Sequence, residues 1–194
     1  MDKLGIGVAK RIGKYDVYIG VIGLSLLLGC VAGVVTASFV EDIGRYFSPA
    51  DELLSGFSFV SVLNRFLSLY KFHFMAAFLG FTLFGVFLLP VFAVLRGFFI
   101  SFSVAAVCGA YSFWPAVALF GLSAIYSLPS FLIMSVVSME MAGRLFSATT
   151  KKKPLEGIVS RNFLLTLLIT TIVLLLGSLF DCWLTPKLFE FAVG

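Results

Sequence analysis

The sequence predicts an all-α, polytopic membrane protein: a bundle of about five transmembrane helices with an outer amphipathic helix, in one integral membrane domain over residues 1–194. Three observations carry this. Between Lys71 and Glu140 the only permanently charged side chain is Arg96. The chain is 60% hydrophobic and 12% charged, where a soluble domain has about 25% charged residues. Its basic residues fall in blocks, at Lys3, Lys10, Arg11 and Lys14 and again at Lys151–Lys153. A soluble domain could not keep its surface wet with so few charges, whereas a bilayer excludes ions at about 2.5 kcal/mol or more each.

The first span is Val17–Val40, which carries no charge until Glu41. A basic leader before an apolar run resembles a signal peptide, and Leu27-Leu28-Gly29-Cys30 loosely matches a lipoprotein box. The run stays apolar through Val40, so a permanent first helix is expected. Gly29 and Gly33 form a small-xxx-small pair, suited to helix packing within the bundle or to self-association between copies.

Residues 72–139 are too long for two spans and fit three. A break at Arg96 leaves about 24 and 16 residues, whereas a break at Pro90 leaves about 18 and 22, closer to a bilayer's thickness. Proline also suits the first position of a helix. The expected spans are therefore 72–89 and 90–111, then 115–143, which contains Pro129. Trp114 is placed as an interfacial anchor. The last span is 162–180, rich in Leu, Ile and Thr.

Before the second span, Leu63, Phe66, Leu67, Tyr70 and Phe74 recur at helical spacing, with Asn64, Arg65, Ser68 and Lys71 off that stripe. This predicts an amphipathic helix over about 59–71, lying on the outer leaflet, on a partner or on its own bundle. Asp181–Phe191 reads as a second short amphipathic piece. Placing both basic blocks inside puts the N-terminus in the cytoplasm and the C-terminus outside. Nothing interleaves aromatic and basic residues as a nucleic-acid surface does, so no nucleic-acid partner is expected. The expected surroundings are membrane lipid.

Catalytic patterns are not found. His73 is the single histidine, and no second ligand sits at metal spacing. Cys30, Cys108 and Cys182 form no CxxC pair, and neither a phosphate loop nor a nucleophile elbow is present. No catalytic residue, metal or cofactor is expected. The remaining candidates are polar groups within spans: Arg96, Ser101, Ser103, Ser127, Ser130, Ser135, Ser138 and Glu140. Arg96 either snorkels to the inner face, about 9 Å from a helix start at Pro90, or is buried and paired with Glu140 or with carbonyls freed near Pro90 and Pro129.

The segment from Pro90 through Val91–Leu95, Arg96-Gly97 and Phe98-Phe99-Ile100-Ser101-Phe102-Ser103-Val104 resembles the stage II sporulation protein M family. So do the basic leader, the proline of Ser127-Leu128-Pro129, and the finish Ser178-Leu179-Phe180-Asp181 with Pro186–Phe191. The resemblance covers roughly residues 15–192. It departs from the family where Ser130 follows the proline, in place of His or Gln, and where Arg96 replaces the more usual lysine. The resemblance implies a non-enzymatic anchor in the cytoplasmic membrane of a prokaryote. Such an anchor works with a peptidoglycan amidase and a lytic transglycosylase in septal remodelling, engulfment and sporulation. Residues 90, 96, 97, 129, 130 and 140 would then be structural or functional positions, and Phe66, Leu67, Tyr70 and Trp183 the places where hydrolases dock. The competing reading is a small permease or transporter subunit with a mid-membrane site around Arg96.

Overall fold

The computed structural model describes residues 2–40, 58–110, 113–150 and 161–193. These form five helices: α1 Asp2–Phe39, α2 Phe59–Gly80, α3 Gly85–Ala110, α4 Phe113–Thr150 and α5 Arg161–Val193. Four of them hold stretches long and apolar enough to cross a membrane: Tyr15–Phe39, Gly85–Gly109, Phe113–Thr150 and Arg161–Ala192. The fold is all-α and consistent with a membrane-spanning bundle. The Lys151–Lys153 run and residues 41–57 lie outside the described residues, as do the side chains of the N-terminal basic block.

Helix α4 is the hub and packs against all four others. One core, around Ile22, Leu26, Leu89, Ala93 and Phe131, joins α1, α3 and α4 with Ala76 of α2. A second joins Ala77, Met134, Met141 and Phe163. A third closes the far end with Val107, Ala116, Leu119 and Phe189. Large apolar side chains on the outer faces stay exposed, among them Leu24, Leu27, Val31, Leu168 and Ile169. In a bilayer these faces meet acyl chains of equal polarity, so exposure costs them nothing.

Helices α1 and α3 run side by side in the same direction along a seam of small residues. A methyl group on Gly29 would collide with the Val94 carbonyl. One on Gly33 would meet Ser101, and one on Gly97 the Leu26 carbonyl. Backbones approach this closely only where Cβ is missing. Gly29 and Gly33 are therefore packed within the bundle.

Three expectations are corrected. The break between the second and third helices is not at Pro90. It lies at residues 81–84, where Phe81, Thr82 and Gly85 donate to carbonyls three residues back. Gly85 is required there, since a Cβ would strike the Leu79 carbonyl. Pro90 sits inside α3, one turn from its start, where the missing N–H leaves the Val86 carbonyl without its helical donor. The separate span 72–89 therefore does not exist: 72–80 finish α2, and 85–89 begin α3.

The outer helix is also not confined to 59–71. It is the first half of α2, and α2 enters the bundle. Its apolar stripe is turned outward, with Leu63 43%, Leu67 51% and Phe74 55% exposed. Its buried positions are Val62, His73, Ala76, Ala77 and Gly80. Arg65 and His73 face inward because that is where their partners are, while Asn64, Ser68 and Lys71 stay exposed. Lastly, Asp181–Phe191 is not a separate piece. α5 runs unbroken from Arg161 to Val193 with Pro186 inside it.

Candidate functional site

Three polar clusters lie between the helices at different depths. The first is at the end of the bundle near the start of α2. Arg65 Nε donates to Asp181 Oδ2 of α5 at 2.7 Å, and its Nη2 reaches the Leu119 carbonyl at 3.3 Å and Ser123 Oγ at 3.4 Å. Asp181 is 1% exposed. It also accepts from the Tyr126 hydroxyl at 3.2 Å and from Thr185 Oγ1, one turn on, at 2.7 Å. The Tyr126 ring lies on Gly177, where any Cβ would strike it. One carboxylate thus ties α2, α4 and α5 together. Satisfied by several donors, such a buried pair is tolerable, and losing one partner is costly.

The second cluster lies deeper. His73 is fully buried, with Nδ1 3.2 Å from the Leu69 carbonyl and Nε2 3.0 Å from Ser130 Oγ. A carbonyl can only accept, so in the neutral ring Nδ1 carries the proton and Ser130 donates to Nε2. Ser130 also lies within reach of the Tyr126 and Ser127 carbonyls of its own helix, which compete for its proton. Phe131 meets the imidazole edge-on at 5.8 Å.

Arg96 stands near this level on α3. It is eleven residues past Gly85, about 16 Å along the helix at 1.5 Å per residue. It does not snorkel, being 5% exposed. It does not pair with Glu140 either, and no carboxylate among the described residues lies within ion-pair distance of it. Its guanidinium carbon sits 4.1 Å above the Phe72 ring, a contact worth about 2 kcal/mol when desolvated. Its Nε is buried with no hydrogen-bond partner. The side chain lines a cavity of about 200 Å³ together with Arg65, Ser68, Ser103, Ser123 and Ser127.

The third cluster is at the opposite end. Glu140 accepts from Arg144 Nη2 at 2.7 Å and from the Tyr15 hydroxyl, joining α1 to α4. Arg144 is 41% exposed on its side chain, so this i,i+4 pair contributes only about 0.3–0.5 kcal/mol.

The expected residues are therefore dispersed. Arg96 and Ser130 face the interior near His73, while Gly97 serves the α1 seam. Glu140 closes the other end. Pro129 is inside α4, which continues through it. Phe66 and Tyr70 stack on one another at 5.1 Å. Trp183 is 53% exposed, with Lys187 Nζ 4.3 Å from its ring. Sequence reasoning missed Arg65, Tyr126 and Asp181. For Arg65 a signal was available: positions 65, 69 and 73 share one helical face beside the apolar stripe, and that face carries an arginine and the histidine.

Among the described residues no group of His, Cys, Asp and Glu could hold a metal ion. No curated protein and no solved structure matches the chain. The family model described as stage II sporulation protein M matches residues 19–186. That match takes in the Arg96-Gly97 helix, the Pro129 helix and the Asp181 junction, and the chain belongs to the stage II sporulation protein M family.

Proposed function

We propose that this protein is a non-enzymatic membrane scaffold. It anchors peptidoglycan hydrolases, an amidase and a lytic transglycosylase, at the outer face of the cytoplasmic membrane during septal wall remodelling and engulfment. Family membership supports the reading. The observation that carries it is the Arg65–Asp181 ion pair. It fixes Leu67 and Trp183, each two residues from a bonded partner, at one end of the bundle. Both side chains are more than half exposed. The i,i+2 offset turns Leu67 and Trp183 to the outer sides of α2 and α5, away from the ion pair, so that end of the bundle offers two exposed apolar anchors to a partner.

In this reading α2 counts as a fifth crossing. It lies along α4 from Leu119, which Arg65 contacts, to Ser138, which packs on Gly80. Its average hydropathy is lowered by Arg65, Lys71 and His73, yet Arg65 and His73 are turned away from lipid. Five crossings leave the termini on opposite sides, and placing the basic blocks Lys3–Lys14 and Lys151–Lys153 inside then assigns the N-terminus to the cytoplasm and Leu67 and Trp183 to the outer face, where wall enzymes act.

Co-purification tests the proposal. Leu67→Ala with Trp183→Ala removes the anchors without placing a charge in the membrane. The wild-type chain should retain both hydrolases from detergent extracts, and the double variant should lose them while unfolding at the wild-type temperature. Retention of both enzymes by the folded double variant overturns the scaffold role for this patch.

A further inference from the structure

The cavity beside Arg96 has the features of a built ligand site. The Arg96 side chain is nearly fully buried, lines the cavity and has no carboxylate partner among the described residues, where its Nε also makes no hydrogen bond. Arg65 lines the same cavity, but its charge is committed to Asp181. Ser68, Ser103 and Ser127 line it as well, with hydroxyls that make no hydrogen bond among the described residues. The cavity thus gathers one uncompensated positive charge and three free hydroxyl donors. A buried cation in a membrane protein marks a ligand or counter-ion position, and an apolar wall strengthens its field.

We infer that this cavity, enclosed by α2, α3 and α4, binds a phosphate group. Guanidinium meets phosphate in a two-point fork of charge-assisted bonds. The number of donors favours a phosphate over a carboxylate. A carboxylate held by the fork keeps only two lone-pair sites, both in the plane of the pair, whereas a phosphate keeps further oxygens directed out of that plane for the three serines. The other walls are apolar, formed by Leu69, Phe72, Phe99, Ile100 and Phe120. Ser68 and Phe99 are both exposed on the outer surface of the bundle, so the cavity reaches that surface between α2 and α3. The phosphate arrives either on a lipid whose chains follow Phe99 or as a free anion. The inference rests on the cavity alone and holds whether or not hydrolases bind the patch at Leu67 and Trp183.

The test uses the full-length chain in neutral detergent, with native mass spectrometry and unfolding temperature as readouts. The probes are inorganic phosphate, dioleoyl phosphatidate, and dioleoylglycerol, which has the same chains and no phosphate. Wild-type protein should take up one phosphatidate and unfold at a higher temperature, with no such change from dioleoylglycerol. A like response to inorganic phosphate alone supports the site and assigns a free anion as its occupant. Arg96→Gln should weaken the binding about tenfold or more, as expected for loss of a charge-assisted bond. Arg96→Lys, which keeps the charge without the fork, should fall between. Arg96→Gln also removes an unpaired buried charge, so its fold should persist, checked by its helical circular dichroism. Absence of a response to either anion by the folded wild-type chain overturns the inference. So does wild-type binding by Arg96→Gln.

Discussion

Replacing Arg65 by leucine strands the Asp181 carboxylate. It is 1% exposed and keeps only the Tyr126 and Thr185 hydroxyls, at 3.2 and 2.7 Å. Breaking a buried pair from one side costs about 3–5 kcal/mol, which lowers the folded-to-unfolded ratio by roughly two to four orders of magnitude. Asp181→Leu strands Arg65 instead. That side chain is 16% exposed and keeps the Leu119 carbonyl and Ser123 hydroxyl, so its loss should fall at the low end of that range. The double variant Arg65→Leu/Asp181→Leu leaves no lone charge. Replacing a whole buried pair by apolar residues is neutral or stabilising by about 1–4 kcal/mol. Its stability should therefore lie within about 1 kcal/mol of wild type or above it, giving a coupling of about 5 kcal/mol or more, of opposite sign to the single losses. Reversible unfolding in mixed micelles, titrated with a denaturing detergent and followed by circular dichroism, measures all four species. If the double variant loses the sum of the two single losses, the ion pair is not what joins α2 to α5.

Gly97→Leu should separate α1 from α3, because its side chain would occupy the space of the Leu26 carbonyl; a loss of several kcal/mol is expected, of the order seen for overpacking or more, read as a lower unfolding midpoint. Ser138→Ala removes a buried hydroxyl that has no partner among the described residues and should leave stability unchanged or raise it by about 1 kcal/mol. Ser130→Ala takes away the partner of His73 Nε2 and should cost about 1–3 kcal/mol, so the two serine variants must separate in the same assay. A cysteine introduced at Gly194, in a chain whose own three cysteines are replaced by serine or alanine, should react with an impermeant thiol reagent added to intact cells; protection until the membrane is opened would mean that α2 does not cross.

Much of the fold was legible because lipid imposes a simple rule. Long uncharged runs must be helices that bond their own backbone, and this gave α1, most of α3 and α4, and the start of α5. The turn at residues 81–84 was hidden because its defining residue, Gly85, sits among apolar neighbours without a charge or a proline. Pro90 was the more visible signal, but a proline one turn into a membrane helix loses a single hydrogen bond and need not end it. The face of α2 was open between lipid, a partner and its own bundle for a related reason. In water an apolar stripe seeks the core; in lipid the same stripe can face outward, and the side chains that need partners go in. Of the candidate site, Arg96 was conspicuous as the lone charge in its run, whereas its lack of a counter-ion depends on where Glu140 and Asp181 lie in space.

The bond between Arg65 and Asp181 spans 116 residues, which bears on how the chain is made. At about 5–20 residues per second, Arg65 waits about 6–23 seconds for its partner to be synthesised. During that interval α2 carries an unneutralised charge and has little tendency to settle in the bilayer alone. Its final docking therefore belongs to the end of translation, when α5 emerges. A chain truncated before Asp181 should leave α2 unlatched and open to quality-control proteases.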